Sequence, residues 1–382
     1  DFDKYIKNSK KEALTRIDKF IGYLINELDL NMTEIGIIVP TPPAKALVNK
    51  KKLSWVLFSG HSFNKGWLST AITRRKGIIT ILDLPYIFLQ EVSRNQMEIT
   101  ENSKWQVIED DTKWEDIIRL NDKISFIYTI RPIFIKAFIF IQLIVIVMAI
   151  IRMTGVKFTS SHIFSILFEY LLISLMLIPI NYLIISTITL YSQRLLIILL
   201  LILTLVEILF IINVFKRNRT RILTITTVIV IIISYDLFTG YNLMADSILG
   251  YSSIIGARFY GLGNEYMGFF LGALVIVITL GLNFLKEKKY IKDKKYLLLP
   301  TFIAGVYITG ANNAGANFGG MITAIVITGV TYIYITKKEL KKTILLLFSV
   351  FMIMIVLDTG SFIGEASHIG QAIIKIRDGD WQ

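Results

Sequence analysis

The sequence has no cysteine, and only three histidines and seven prolines among its 382 residues. Without cysteine, the chain has no disulfide framework, no thiolate metal site and no cysteine nucleophile. His61, His162 and His368 are far apart in the sequence, so a shared metal site is not expected. We therefore expect neither a metal nor another cofactor.

Charged residues are also sparse, at 18% of the chain, whereas apolar residues make up 54%. The mean hydropathy of +0.60 and the long uninterrupted apolar runs exclude an ordinary soluble enzyme and predict a polytopic α-helical protein in a lipid bilayer. The formal net charge of +12 is compatible with nucleic-acid binding. However, most Lys and Arg residues after residue 130 stand in short clusters beside apolar runs, as membrane orientation requires, so no nucleic-acid partner is expected.

Residues 1–110 have the pattern of a small α/β domain. The apolar positions Leu14, Ile17, Ile21, Leu24 and Leu28 have helical spacing and predict an amphipathic helix. Three short apolar runs then predict strands over 35–39, 53–58 and 77–82. Asp83-Leu84-Pro85 has the residues of a helix start, with Asp83 as its cap.

Residues 111–131 predict an amphipathic connector helix on the membrane surface, and residues 132–382 predict a helical transmembrane domain. About eight spans are expected, over 133–151, 163–185, 195–215, 222–239, 266–285, 296–309, 321–335 and 343–357. The sixth and seventh runs are short for a bilayer that needs about 20 residues, so they either cross it or dip into it as a re-entrant pair. The chain starts without methionine and stops within this pattern, which is typical of a piece of a longer protein.

Basic residues lie in alternate connections between the predicted spans. They are Arg152, Lys157, Lys216, Arg217, Arg219, Arg221, the basic residues of the run 286–295, Lys337, Lys338, Lys341 and Lys342. By the positive-inside rule these connections face the cytoplasm. The N-terminal domain, the 240–265 and 310–320 loops and the C-terminal tail are then expected on the extracytoplasmic face of a multi-pass cell-membrane protein.

The stretch 250–268, GYSSIIGARFYGLGNEYMG, concentrates charge, amide groups and glycine between two apolar runs. Polar groups at such a place are costly unless they face a cavity, a partner or a ligand. Arg258 has the planar fork of donors that suits a phosphate or carboxylate. Glu265 and His368 are candidates for a base that takes a proton from a sugar hydroxyl. The residues expected to bind substrate together with Arg258 are Asn264, Asn312, Asn313, Asn317 and Asp246.

A structural interpretation of these residues remains open. Arg258 and Glu265 would then pair with each other at the membrane interface, and the glycines would allow close helix packing. In addition, Glu169 and Glu207 lie within the second and third predicted spans, where a carboxylate is a candidate for a proton relay or an ion path. They make a transporter or flippase the alternative from another functional class.

The N-terminal segment resembles the C-terminal third of alkaline-phosphatase-superfamily domains. The likeness rests on the run 35–39, the SGHSF turn at 59–63 and the stretch TRRKGIITILDLP at 73–85. In that superfamily the strand matching 35–39 leads into an Asp-His-Gly metal motif, where this chain has Val39-Pro40-Thr41-Pro42. The resemblance therefore implies a degenerate domain, and phosphatase activity is not expected.

The membrane segment is similar to O-antigen ligases and polymerases in the run RFYGLGNE at 258–265, which leads into an apolar helix. The segment 309–320 stands where those proteins carry a second outer-face motif, with asparagines in place of the usual arginine. Those enzymes resemble one another as polytopic helical proteins that join lipid-linked glycans on the outer face without a metal. The whole arrangement also resembles uncharacterised bacterial membrane proteins that couple a phosphatase-like outer domain to a polytopic domain.

These observations predict an envelope membrane protein that transfers or polymerises a lipid-linked glycan at the outer face. Arg258 would bind the phosphate of a polyprenyl carrier, and Glu265 or His368 would act as the base. A transporter or flippase is one alternative. A non-catalytic scaffold, whose degenerate outer domain recruits an envelope enzyme, is the other.

Overall fold

The computed structural model describes residues 2–92, 105–111, 113–287, 295–336 and 349. Across these residues the protein is mostly helical, with a small strand part. The chain divides into two compact units, Asp1–Asn121 and Asp122–Gln382. The predicted span 343–357, apart from residue 349, and the tail with His368 lie outside the described residues.

The first unit contains helices and short strands. Its elements are α1 (Phe2–Glu27), β1 (Ile35–Ile38), α2 (Ala44–Val48), β2 (Val56–Ser59), β3 (Gly66–Thr70), α3 (Asp83–Val92) and β4 (Trp105–Glu109). β1 and β2 pair antiparallel, with Ile35 opposite Ser59, and β3 and β4 pair antiparallel, with Gly66 opposite Glu109. The predicted amphipathic helix and the first two predicted strands are thus present as α1, β1 and β2.

The third predicted strand, over 77–82, is wrong. These residues form turns and irregular backbone, because local side chains satisfy their polar groups. Thr73 Oγ1 donates to the Ile78 carbonyl oxygen at 2.6 Å, and Asp83 Oδ2 accepts from the Thr80 backbone N–H and hydroxyl at 2.6 and 2.8 Å. Helix α3 begins at Asp83 as predicted. The Asp83 carboxylate, however, accepts hydrogen bonds from the turn that precedes the helix. The strand that follows β2 is β3, which the apolar pattern did not predict. It pairs with β4.

Helix α4 runs without interruption from Trp114 to Met153. The residues predicted as a surface connector and those predicted as the first span therefore share one helix of 40 residues, with Pro132 inside it. The division between the two units falls within this helix, after Asn121. The helix therefore contributes Lys123 and Arg131 to the second unit.

The second unit is a bundle of apolar helices. After α4 they are α5 (His162–Ile185), α6 (Gln193–Val214), α7 (Asn218–Phe238), α8 (Asn242–Ala245), α9 (Asn264–Glu287), α10 (Lys295–Gly310) and α11 (Phe318–Thr336). Six of the described helices, α4, α5, α6, α7, α9 and α11, are long and apolar enough to cross a membrane. The apolar part of α10, Leu297–Gly310, is shorter. These helices identify a multi-pass membrane protein.

Helix α9 packs against α7, α10 and α11. Its inward side chains Tyr266, Phe270 and Leu271 are almost fully buried. In contrast, large apolar side chains such as Phe140 on α4 and Phe210 on α6 are more than half exposed. A surface covered with such side chains suits contact with lipid and would be costly in water.

Two loops at one end of the bundle are joined through their backbones. The Leu262 N–H, just before α9, donates to the Gly315 carbonyl oxygen, between α10 and α11, at 2.6 Å. Gly261 has a φ of +78°, and a Cβ at this position would overlap the same carbonyl oxygen. Glycine is therefore needed here both for the left-handed backbone and for the close approach of the loops.

Gly261→Ala is expected to destabilise the second unit. The left-handed backbone alone costs about 1–2 kcal/mol once a Cβ is present, and the overlap with Gly315 adds to this cost. Gly268→Ala is the matched control, since a Cβ there meets no atom within 4 Å. Thermal melting in detergent, followed by circular dichroism, should shift to lower temperature for Gly261→Ala only. Equal melting curves for the two variants would contradict the close loop contact.

Candidate functional site

The carbonyl oxygen of Leu262 accepts hydrogen bonds from two predicted site residues, Arg258 and Asn317. Arg258 Nη1 donates to it at 3.2 Å and to the Ala316 carbonyl oxygen at 3.5 Å. Asn317 Nδ2 donates to the same Leu262 oxygen at 2.8 Å and approaches Asn264 Oδ1 at 3.4 Å. The structure thus brings Arg258, Asn264 and Asn317 together around the two joined loops.

Asn317 also fixes the start of α11. Its Oδ1 accepts the Gly320 backbone N–H at 2.8 Å, which is the arrangement of an N-terminal helix cap. Gly320 leaves no room for a side chain, because a Cβ would lie 2.6 Å from Met267 Sδ and 2.9 Å from Asn317 Cγ. The amide nitrogen and the amide oxygen of the buried Asn317 therefore both have hydrogen-bond partners inside the protein. This side chain stabilises the loop before α11.

Arg258 is half-buried in this arrangement. Among the residues that the structure describes, its hydrogen-bond partners are only the two carbonyl oxygens, and no carboxylate forms an ion pair with it. Burial lowers the pKa of the guanidinium, and the field of Tyr251, Tyr260 and Glu265 offsets part of this shift. Because arginine keeps its proton in proteins, Arg258 is a half-buried positive charge with donor groups to spare.

Glu265, a predicted base, pairs with a different arginine. Its Oε1 accepts from Arg131 Nη2 at 3.1 Å, so the pairing of Glu265 with Arg258 in the structural interpretation is wrong for the described residues. The Arg131 side chain is 15% exposed and the Glu265 side chain 41%. Oε2 of Glu265 lies beside Gly263 and has no hydrogen-bond partner in the described part of the chain. One carboxylate oxygen is thus held, and the other remains available.

Asp246, a predicted substrate ligand, is also engaged with a cation from α4. Lys123 Nζ lies 2.7 Å from Asp246 Oδ2 and donates to the Ser186 carbonyl oxygen at 2.9 Å. Both charged side chains are largely buried, at 17% and 16% exposed. This pair ties α4 to the end of α5 and to the loop after α8, so Asp246 has a structural partner.

Three buried polar residues, Asp236, Ser247 and Tyr266, form hydrogen bonds that fix the segment between α7 and α9. Asp236 accepts two backbone N–H groups at the start of α8, at 2.7 and 2.9 Å. The Tyr266 hydroxyl lies 2.5 Å from Ser247 Oγ and donates to the Pro179 carbonyl oxygen at 3.2 Å. Asp236, Ser247 and Tyr266 are at most 1% exposed, so they hold the backbone in place.

Two further predicted residues, Asn312 and Asn313, do not take part in the hydrogen bonds around Arg258. Asn313 is exposed, and its amide exchanges hydrogen bonds with the Tyr307 hydroxyl at 3.1 and 3.2 Å. Asn312 is buried, and neither asparagine is a hydrogen-bond partner of Arg258. His368 lies outside the described residues, so the choice between the two candidate bases stays open.

The two carboxylates within the predicted spans have partners on neighbouring elements. Glu169 pairs with Arg221, which is also bonded to carbonyl oxygens near the end of α6. Asn181 Nδ2 on α5 donates to Glu207 Oε2 and to Thr204 Oγ1 on α6, both at 2.9 Å. Asn181 is fully buried, and its Oδ1 has no partner among the described residues. The Asn181 side chain therefore links α5 to α6.

Sequence reasoning missed Lys123 and Arg131 as members of the site, because the residues up to 131 were assigned to a surface connector. A signal was present in the sequence. The two cations stand about two helical turns apart in a largely apolar run, and Asp246 and Glu265 flank the loop expected at the same end of the bundle. Opposite charges at one end of a helical bundle are candidates for ion pairs.

The described residues supply two chemical capabilities at this end of the bundle. Arg258 suits an anion with several oxygens, such as a phosphate ester. Glu265 Oε2 suits the acceptance of a proton from a bound hydroxyl. Within the described ranges, no group of three or more His, Cys, Asp or Glu side chains is arranged to hold a metal ion.

Comparison with protein-family models, with curated proteins and with solved structures finds no match for this chain. The resemblances to alkaline-phosphatase-superfamily domains and to O-antigen ligases and polymerases therefore stay predictions, carried only by the residues quoted for them.

Proposed function

We propose that the chain is an integral protein of a bacterial envelope that transfers or polymerises a lipid-linked glycan at the outer face of the membrane. In this proposal Arg258 binds a phosphate of the polyprenyl carrier, and Glu265 or His368 accepts the proton of the sugar hydroxyl that attacks the anomeric carbon. The bond between that carbon and the carrier phosphate breaks, and the carrier leaves as its phosphate. The supporting observation is the half-buried Arg258, whose partners in the described residues are two carbonyl oxygens. A phosphate would supply the opposite charge that burial makes valuable.

A substrate with a lipid tail suits the surroundings of Arg258. The loop that carries it leads directly into α9, which is long and apolar enough to cross a membrane. Tyr251 and Tyr260 belong to the same loop as Arg258, and tyrosine is common at the level of lipid head groups. A polyprenyl chain would stay in the hydrocarbon beside the helices while its phosphate reaches the arginine.

The proposed topology has about eight spans, counting the run 343–357, with the N-terminal unit and the 240–265 loop outside the cytoplasm. Its support is the alternation of basic connections along the sequence. In this topology the half-buried Arg258 lies on the side where envelope glycans are joined.

We propose in addition that the N-terminal unit is a degenerate alkaline-phosphatase-like domain. Strand β1 ends at Ile38 and is followed by Val39-Pro40-Thr41-Pro42, where that superfamily has an Asp-His-Gly motif. Such a domain would recruit or orient an envelope partner, which is the role that the scaffold alternative gives to it.

Arg258→Gln is expected to lower glycan transfer about a hundredfold or more, because the cation that holds the phosphate is lost. The measurement is the amount of lipid-linked and polymerised envelope glycan in cells that produce only the variant. Arg194→Gln is the matched control, since Arg194 lies at the start of α6, on the proposed outer side, and is exposed. Wild-type glycan in the Arg258→Gln strain, at equal protein level, would refute the proposed function.

Cysteine labelling of the 382-residue chain tests the proposed sidedness, because these residues include no cysteine that would react in the background. Single cysteines are placed at Ile255, 64% exposed in the loop before α9, and at Val156, 51% exposed between α4 and α5. A membrane-impermeant maleimide should label Ile255→Cys in intact cells, and Val156→Cys only after permeabilisation. The reverse pattern would place Arg258 on the cytoplasmic side and remove the basis of the proposal.

A transporter or flippase is the second candidate, and the observation that favours it is the buried Asn181 beside Glu207, with one amide oxygen unpartnered among the described residues. If Glu207 carries a proton during transport, Glu207→Gln should reduce the movement of a fluorescent polyprenyl phosphate across proteoliposome membranes about tenfold or more. Glu169→Gln is the comparison, because Glu169 pairs with Arg221 instead. Unchanged movement in Glu207→Gln would speak against this candidate.

A further inference from the structure

Arg131 is the ion-pair partner of Glu265, a carboxylate in the electrostatic environment of Arg258. Its guanidinium reaches from α4 to the first turn of α9 and holds Glu265 Oε1 at 3.1 Å. Arg258 contacts the carbonyl oxygen of Leu262, only three positions before this glutamate. The site therefore contains one carboxylate near two arginines, and the carboxylate is paired with Arg131.

We propose that Arg131 is a positioning residue for the anion site: by pairing with Glu265 it keeps this carboxylate off Arg258, and so leaves the Arg258 guanidinium available for a phosphate ester. This inference rests on the proposed function, because it assumes that Arg258 binds the anion. According to this inference, Arg131 influences the affinity of Arg258 for the anion without touching the anion itself.

Glu265 is the natural competitor for Arg258. The glutamate contributes to the electrostatic environment of Arg258 without contacting it. Its side chain is 41% exposed, so it has more room to change rotamer than a packed core residue. Once Arg131 no longer holds it, the nearby Arg258, with donors to spare, is the partner that a carboxylate would select.

An internal carboxylate on Arg258 would compete directly with a phosphate. Carboxylate and phosphate oxygens occupy the same side of the guanidinium fork when they bind in a bidentate manner. The ligand would then have to displace Glu265 before it binds. Loss of Arg131 should therefore weaken the binding of the anion, although Arg131 itself donates to Glu265.

A purely structural role of the pair makes a different prediction. If the Arg131–Glu265 contact only ties α4 to α9, removing either residue loses the tie, and removing both gives no recovery. If Arg131 instead restrains a competitor, removing Glu265 as well eliminates that competitor. The double variant therefore separates the two roles.

The test measures the binding of geranylgeranyl phosphate to the full chain in detergent by isothermal titration calorimetry. We expect Arg131→Gln to weaken binding about tenfold or more, and Glu265→Gln, which removes the competing carboxylate, to tighten it. The double variant Arg131→Gln/Glu265→Gln should return to the affinity of Glu265→Gln. The conservative Arg131→Lys, which keeps the charge, should stay close to the wild type.

The outcomes separate the failure of this inference from the failure of the proposed function. Binding that is lost in Arg258→Gln but unchanged in Arg131→Gln overturns the inference alone. A double variant as weak as Arg131→Gln also overturns it, as does any unfolded variant that the double substitution does not rescue. No binding by the wild type, or full binding by Arg258→Gln, overturns the proposed anion site and this inference with it.

Inorganic phosphate, titrated in the same way, identifies the source of the anion. Tighter binding of geranylgeranyl phosphate than of inorganic phosphate supports a lipid-linked ligand. Equal affinity for the two probes would contradict the lipid-linked part of the proposed function. The order of affinities among the Arg131 and Glu265 variants should be the same for both probes, because the competition takes place at the phosphate group.

Discussion

The hydrogen bond from the Leu262 N–H to the Gly315 carbonyl oxygen is the contact on which the site depends. It joins the loop before α9 to the loop between α10 and α11, and so brings residues far apart in sequence to one end of the bundle. Once the two loops are joined, the Leu262 carbonyl oxygen receives both Arg258 and Asn317. Backbone polar groups at the ends of apolar helices need partners, and these loops supply them to each other. Gly261 makes the contact sterically possible.

Helix α4 determines the balance of charge around these loops. Its cations Lys123 and Arg131 each take up one carboxylate, Asp246 and Glu265. Both pairs lie at places where water is partly excluded, so each charge matters more than it would on an open surface. Asp246 and Glu265, the acidic residues nearest in sequence to Arg258, are paired with these two cations. Arg258 donates its hydrogen bonds to carbonyl oxygens. The charge left on Arg258 thus depends on a helix that does not itself carry the stretch 250–268.

The sequence was sufficient for the features that depend on long apolar runs. Each of the first seven predicted spans corresponds to an apolar helix, because a run of that length has few alternatives to helix in a bilayer. It was insufficient where a local side chain replaces a strand partner, as at 77–82, where Thr73 and Asp83 satisfy the backbone. It also identified Arg258, Asn264 and Asn317 as polar groups of one region, but not the partners of Glu265 and Asp246. Those partners depend on the helix α4, which continues through Pro132 where a boundary was expected. The signal for such pairs is opposite charge at the same end of the bundle, and it does not appear in the local sequence around either partner.

The partners of Arg258 differ from those of other charged side chains in the bundle. Lys123, Arg131 and Arg221 each form an ion pair with a carboxylate from another part of the bundle. Arg258 differs, because its partners in the described residues are backbone carbonyls, which carry only partial charge. A fold selected only for stability would be expected to compensate this cation as it compensates the others, or to replace it by an apolar residue. Arg258 has no carboxylate partner in the described part of the chain, and the two nearby carboxylates are paired with other cations. This arrangement fits the proposal that Arg258 binds an external anion.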